Sequence, residues 1–141
     1  DEDNYHLMKA LITGPAGSPF EHGTFVLNIN IPTSYPMAPP RVLFETPVYH
    51  CNVSGGGEIC LNILRESWSP ALTISKVMMA IQLMLASPDT DNALRQWIAE
   101  LTLMNRQSHG KDTRYVDEAV AATTANASRS VDEWKVHWGL N

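Results

Sequence analysis

The sequence predicts an α+β fold, in which helices cover one face or the ends of an antiparallel sheet. Segments with strand patterns come first, segments with helical patterns follow, and short turns join the strands. The 141 residues are enough for one domain with a sizeable core, and the apolar share of 44% and charged share of 18% are typical of globular proteins. We therefore expect a single domain over residues 1–141.

Three strands are predicted in the first part of the chain. Residues 6–13 form a short apolar run that ends at a Gly-Pro pair. Residues 23–32 alternate, with apolar side chains on one face and mostly polar ones on the other, as a half-buried antiparallel strand requires. Residues 41–46 follow a proline-rich stretch, Tyr-Pro-Met-Ala-Pro-Pro, that excludes both helix and regular strand pairing. Short turns between these strands predict a meander.

Four helices are predicted in the second half. The first has apolar residues at the 3.6-residue period between Thr73, which can cap its start, and Pro88, which ends it. Three more cover about 94–101, 114–127 and 131–138. The last contains two tryptophans four residues apart on one face, which either pack on the core of the domain or form a docking face for a partner.

Composition excludes several classes of protein. A net charge of −5 with only ten Lys and Arg argues against a nucleic-acid surface, which needs clustered cations. The longest apolar stretch, residues 77–86, is shorter than the roughly 20 residues that span a bilayer, so we expect no membrane insertion. The acidic N-terminus lacks a signal-peptide pattern, and two cysteines without such a signal favour free thiols in a reducing compartment.

Both cysteines lie nine positions apart in an irregular, apolar segment over residues 49–69. A zinc site with His50 would have three ligands where structural zinc takes four, and adjacent residues of an extended chain point apart. A domain of this size needs no disulfide, and a buried core position suits Cys51 because cysteine is often buried. We therefore predict neither a metal nor another cofactor.

Cys60 has different surroundings. It follows a run of three glycines at 55–57, which would let macromolecular groups approach the backbone closely. No histidine has the local context of a protease base, but a thiol keeps a few per cent thiolate near pH 7 and is intrinsically nucleophilic. This chemistry suits exchange with an activated thioester better than attack on an amide. The residues alone make Cys60 a candidate nucleophile and leave its reaction open.

The segment from about Ile12 to Pro88 resembles the ubiquitin-conjugating enzymes. The family's ordered motifs correspond here to G-P followed by P-F-E-H-G-T-F, then Y-P-M-A-P-P, H-C-N, I-C-L-N-I-L and W-S-P-A-L. The resemblance implies a four-stranded antiparallel meander flanked by helices. It also implies an enzyme whose cysteine accepts ubiquitin from an activating enzyme as a thioester and passes it to a substrate with the help of a ligase.

The same resemblance assigns roles to individual residues. Cys60 matches the catalytic cysteine, and Asn52 matches the asparagine that stabilises the oxyanion or holds the catalytic loop. His50, next to it, is expected to be structural. The loops that contact RING-type ligases match two pairs of residues, Pro36 with Met37 and Pro70 with Ala71.

Three departures from the family accompany these matches. The chain begins almost at its first strand, so we expect the usual N-terminal helix to be missing, and from about residue 97 the sequence diverges. The acceptor-site aspartate of the family falls on Asn92, although a rival alignment would place Asp112 there. An asparagine at this site would remove a negative charge that repels an approaching thiolate, which would favour a cysteine acceptor over lysine.

Cys51 replaces the proline of the family's H-P-N motif, and this variant most resembles the peroxisomal, peroxin-4 type. That type implies a location at the cytosolic face of the peroxisome, a membrane-anchored partner like peroxin-22, and modification of the cycling import receptor on a cysteine. Two alternatives stay open: a NEDD8-conjugating enzyme, which residues 44–50 and 60–68 also resemble, and a non-catalytic variant of the family that acts as a binding module.

Overall fold

The computed structural model describes residues 5–140, and its sheet has three antiparallel strands in the order β1-β2-β3. These are β1 (Tyr5–Thr13), β2 (Thr24–Pro32) and β3 (Arg41–Phe44). Met8 is opposite Ile29, which in turn is opposite Val42, so the apolar side chains of the three strands line up on one face. The predicted meander is therefore present.

The four-stranded sheet implied by the resemblance is not seen in the described part of the chain. Two isolated bridges, Leu43 with Glu58 and Val53 with Ile59, stand where further pairing was expected. Gly57 permits the close approach of the chain to β3 at this point, because it has a φ of +87° and a side chain there would lie 2.2 Å from the Phe44 carbonyl oxygen. The expected lack of an N-terminal helix concerns residues before Tyr5, which lie outside the described residues.

Four α-helices follow the sheet, close to the predicted positions. They are α1 (Ile74–Ala86), α2 (Gln96–Gln107), α3 (Arg114–Asn126) and α4 (Val131–His137). Thr73 caps α1 as predicted, with its hydroxyl oxygen accepting a hydrogen bond from the Lys76 N–H. Helix α2 begins later than predicted because the N–H groups of Leu94 and Arg95 both donate to the Cys51 carbonyl instead of facing the start of a helix.

The core lies between the inner face of the sheet and the helices. One cluster of buried side chains joins strands β2 and β3 to α1, α2 and α3, and it includes Phe25, Leu27, Ile29, Val42, Phe44, Val77, Ile81, Leu85, Ile98 and Ala119. Val26, an apolar residue on the mostly polar face of β2, is fully buried. Its N–H donates to the Thr46 hydroxyl at 2.9 Å and its carbonyl accepts from the Glu45 N–H at 2.8 Å, so the chain after β3 covers it.

Helix α4 is attached differently. Neither Trp134 nor Trp138 belongs to the core cluster or to the partly buried side chains packed against it, among the residues the structure describes. The two indole rings contact each other, with centroids 5.3 Å apart, and the Arg129 guanidinium lies 4.5 Å from the centre of the Trp134 ring. Between Tyr5 and Leu140, no helix combines the length and the apolar character needed to cross a bilayer.

Candidate active site

Cys60 borders a concave groove of about 310 Å³ on the surface of the domain. The thiol is half-buried, and the residue lies between the glycine turn and the short 3-10 turn Asn62–Leu64. We call this the thiol groove, defined by Cys60, Leu61, Asn62, Ile63, Ala80, Leu83, Met84, Ser87, Asp89 and Asn92. One wall therefore comes from helix α1 and the loop that follows it, and the other from the cysteine segment.

The backbone of Cys60 is held by the Asn52 residue that sequence comparison selected. The Cys60 N–H donates to the Asn52 carbonyl at 2.9 Å, and the neighbouring residues Val53 and Ile59 form an antiparallel bridge. The Gly57 turn brings these two short stretches side by side, since only glycine fits against Phe44 at that point. The catalytic candidates Cys60 and Asn52 are thus adjacent in space.

The side chain of Asn52 is fully buried, and all its hydrogen-bonding groups engage the loop after α1. Its amide nitrogen donates to the carbonyls of Asp89 at 2.8 Å and Asn92 at 3.0 Å, and its oxygen accepts from the Asp89 N–H at 2.9 Å. Of the two roles the resemblance offered, these contacts serve the holding of a loop. To donate to an oxyanion, the Asn52 amide would have to break one of its two hydrogen bonds to the loop.

His50 is locked as a neutral ring. Its Nδ1 accepts from the Asn52 N–H at 3.0 Å, which leaves Nε2 to donate to the Met84 carbonyl at 2.9 Å. Burial lowers the pKa of His50 to about 4, because the charged form would lose its hydration. A ring with both nitrogens occupied has no free position from which to accept a proton from Cys60, which agrees with the expected structural role.

Cys51 lies on the other side of the same segment, with no exposed surface. Its Sγ is 3.7 Å from the Asn52 Oδ1 and 3.9 Å from the Asp89 carbonyl oxygen. Burial raises the pKa of the Cys51 thiol, so the nucleophilic thiolate is disfavoured there. Both cysteines are free thiols, and no group of three or more potential metal ligands converges anywhere in residues 5–140.

The structure places Asn92 in the thiol groove, whereas Asp112 does not line it. Asp112 instead forms an ion pair with Arg114 at 2.6 Å, and this guanidinium lowers the pKa of the carboxyl group. The Asn92 amide donates to the Asp89 carboxylate at 2.8 Å. The groove therefore also contains the Asp89 carboxylate, and the preference for a cysteine acceptor expected from Asn92 stays a prediction.

The predicted ligase-contacting residues form two exposed loops. Pro36, Pro70 and Ala71 are all exposed, and Met37 keeps 75% of its surface accessible. The indole N–H of Trp68 donates to the Pro36 carbonyl at 2.9 Å, which ties the first loop to the segment leading into the second. Binding of a ligase at these two loops stays a prediction.

Two residues of the site, Asp89 and Arg95, were not predicted from the sequence. Asp89 accepts from the Asp91 N–H at 3.2 Å at the start of the 3-10 turn Thr90–Asn92, a capping pattern that could have marked it as an ordered carboxylate. Arg95 donates to backbone carbonyls of the segment around Asn52. No sequence motif reveals an arginine whose partners are backbone atoms far away in the chain.

Two comparisons with known proteins bear on this arrangement. The family described as ubiquitin-conjugating enzyme matches residues 1–117. Among solved structures, the fold is similar to the E2 domain of a Toxoplasma gondii ubiquitin conjugating enzyme, with a TM-score of 0.77 and 38% sequence identity over 86% of this chain and 81% of that chain. Both comparisons extend over most of the sequence. The chain therefore belongs to the ubiquitin-conjugating enzyme family.

Proposed function

We propose that this chain carries ubiquitin as a thioester on Cys60 and transfers it to a protein substrate with the help of a RING-type ligase. Membership of the family implies ubiquitin, an activating enzyme and a ligase as partners. The observation that carries the proposal is the contrast between the two thiols. Cys60 borders an open groove, whereas Cys51 is fully buried.

The chemistry consists of two acyl transfers. In the first, the Cys60 thiolate attacks the thioester carbonyl that joins ubiquitin to the activating enzyme, a new C–S bond forms, and the activating enzyme's thiolate leaves. In the second, an acceptor amine or thiol attacks the Cys60 thioester and the Cys60 thiolate leaves. A thioester is already activated, which is consistent with a groove that has no histidine free to act as base.

The acceptor enters on the side of Asp89 and Asn92, which border the groove next to Cys60. A carboxylate there can orient a lysine ammonium and favour its deprotonation at the thioester. A cysteine acceptor, with an ordinary pKa of about 8.5 against about 10.4 for lysine, needs less help. Both acceptor types are therefore chemically compatible with the groove. The reaction with lysine should depend on Asp89 more than the reaction with cysteine.

Within the family we propose the peroxisomal, peroxin-4-like type, supported by the cysteine at position 51 where most relatives have proline. This proposal places the enzyme at the cytosolic face of the peroxisome, held by a membrane-anchored partner like peroxin-22. Its substrate would be the cycling import receptor, modified on a cysteine. The support is the sequence resemblance, and the buried position of Cys51 is compatible with a structural substitution.

Two other functions make different predictions. A NEDD8-conjugating enzyme would use the same groove with another modifier. A non-catalytic binding module would keep the fold and lack a working thiol, and the half-buried Cys60 in its groove argues against it.

The test is a charging assay with activating enzyme, ATP and either ubiquitin or NEDD8, followed by a non-reducing gel. We expect a ubiquitin adduct that thiols remove, and an adduct resistant to thiols with Cys60→Ser, because an ester replaces the thioester. Cys51→Ala, the matched control, should still charge. Charging only with the NEDD8 pathway would change the modifier, and loss of charging in a folded Cys51→Ala variant would contradict the assignment of Cys60.

A further inference from the structure

Arg95 lies between the loop after α1 and the segment that carries Cys51 and Asn52. Its Nε donates to the Val53 carbonyl at 2.7 Å, and one terminal nitrogen donates to the carbonyls of Val48 and of His50, the latter at 3.3 Å. The acceptors lie on both sides of Asn52 in the chain. A single planar guanidinium therefore fixes the backbone that precedes and follows this asparagine.

This arginine has an unusual set of partners. In the described residues, the ion pairs involve Lys9, His22 and Arg114, and no carboxylate lies within ion-pair distance of Arg95. Its acceptors are buried backbone oxygens, which need hydrogen-bond donors because water does not reach them. Burial lowers the pKa of Arg95 from its ordinary value, although a guanidinium stays charged at neutral pH. The half-buried Arg95 guanidinium is therefore a donor to backbone carbonyls and not the partner of a carboxylate.

The backbone of the same residue continues the connection. The N–H groups of Leu94 and Arg95 donate to the Cys51 carbonyl at 2.8 and 3.2 Å. The Asn52 side chain then binds Asp89 and Asn92, and the Asn52 carbonyl binds the Cys60 N–H. A shift of the backbone around Asn52 would therefore move both the loop that borders the thiol groove and the backbone of Cys60.

We propose that Arg95 is a positioning residue for transfer from Cys60, which acts by fixing Asn52 and, through it, the loop 89–92. The inference rests on the proposed function for its kinetic part, whereas the position of Asn52 can be measured without activity. The Arg95 guanidinium touches none of the groove-lining residues in these hydrogen bonds, so its effect on the reaction passes through Asn52.

The kinetic test measures discharge of preformed thioester to free lysine in a single turnover, after activating enzyme and ATP have been removed. Arg95→Met keeps the length of the side chain and loses every donor, and we expect discharge to slow by about 10-fold or more, since small displacements near reacting groups cost this much. Arg95→Lys keeps the charge and some donors, and should recover part of the rate. Arg114→Met, which removes an exposed arginine paired with Asp112, should retain the wild-type rate.

Coupling separates action through Asn52 from a general effect. If Arg95 acts through Asn52, the variant with both Arg95→Met and Asn52→Ala should discharge no more slowly than the slower single variant. Rate losses that multiply would show that the two residues act independently, and would overturn the proposal.

The second readout is the exchange of the Asn52 side-chain amide protons with solvent. It is observed by NMR on protein that carries no ubiquitin. Both protons are buried in hydrogen bonds in the native chain, so we expect slow exchange. Arg95→Met should accelerate it by about 10-fold relative to the Ile81 backbone amide in α1, which reports general stability. Unchanged relative exchange would overturn the proposal, even if discharge slows.

The two measurements still decide the role of Arg95 if the native chain does not charge or if a variant does not fold. If the native chain does not charge, the proposed function fails and the exchange measurement still decides whether Arg95 fixes Asn52. If Arg95→Met does not fold, Arg95→Lys carries both measurements. An Arg95→Lys variant with native discharge and native Asn52 exchange would then contradict the positioning role.

Discussion

The two cysteines lie nine residues apart, yet their thiols occupy opposite environments. Cys51 is enclosed between the Asn52 side chain and the Asp89 carbonyl, with none of its surface exposed. Cys60 follows the glycine turn and borders the thiol groove on the surface of the domain. We therefore expect the reactivity of each thiol to follow from the chain packed against it, because the same side chain is a core residue in one place and a candidate nucleophile in the other.

The strongest test of this contrast is thiol reactivity in the native state. With iodoacetamide we expect Cys60 to be alkylated at least about 100-fold faster than Cys51, because a buried thiol reacts only when the surrounding structure opens. Mass spectrometry of peptides taken during the reaction gives both rates in one sample. The difference should disappear in denaturant. Similar rates in the folded protein would show that Cys51 is accessible and would remove the main support for Cys60 as the carrier.

The stability of the buried segment around Cys51 should depend on pH through His50. Its pKa is lowered to about 4 in the folded protein from an ordinary 6.5, so the neutral ring contributes stability that is complete above pH 6.5 and decreases as the pH falls toward 4. Between pH 7.5 and pH 5 we expect the free energy of unfolding to fall by about 2 kcal/mol. Urea denaturation at several pH values measures this.

Matched variants identify the responsible histidine. His50→Gln should flatten the pH dependence over this range, although it also lowers stability at pH 7.5. His22→Gln, which removes a side chain that is 91% exposed, should keep the native dependence. If His50→Gln retains the full slope, other groups cause it and the buried, neutral ring is not the source.

The rate of discharge from Cys60 in the thiol groove should depend on Asp89. Asp89→Asn keeps the shape of the residue and removes the only charge among the described side chains that line the thiol groove. We expect discharge of the thioester to free lysine to slow by about 10-fold and discharge to free cysteine to change less, because lysine needs more help to lose its proton. Asp91→Asn, next to it and outside the groove lining, is the control. An unchanged ratio of the two rates would exclude Asp89 from acceptor activation.

Helix α4 lies outside the contrast between the two cysteines, and its replacement gives the smallest expected effect. Because its half-buried tryptophans contact each other and not the core cluster, replacing Trp134 and Trp138 by alanine together should lower the free energy of unfolding by only about 1 kcal/mol, the usual value of an aromatic pair with a cation–π contact. Thermal or urea unfolding measures it. A loss of several kcal/mol would mean that α4 belongs to the core.

The elements that sequence periodicity predicts best are those whose contacts repeat along the chain. Helix α1 was placed correctly with its Thr73 cap, because apolar spacing and capping are local signals. The contacts that form the site are not local. Asn52 binds Asp89 and Asn92 across 37 and 40 residues, and Arg95 binds the Val48 carbonyl across 47, so no pattern within a window could reveal them.

The resemblance supplied what periodicity could not, within limits. It selected Cys60 and Asn52, which the structure brings together. It also implied a fourth strand, in place of which the described residues form two isolated bridges. The motifs that carry the resemblance contain neither Asp89 nor Arg95, so the contacts of these two residues came only from the structure.

The hydrogen bond from the Trp68 indole to the Pro36 carbonyl matters for any partner that binds both exposed loops. Two loops that are ordered separately would each lose conformational freedom when a partner binds both, whereas loops already joined lose little. Much of the entropy of ordering them has been lost on folding, so a partner that contacts Met37 and Ala71 together meets a preorganised surface. The Trp68 hydrogen bond would thereby raise the affinity for such a partner without contacting it.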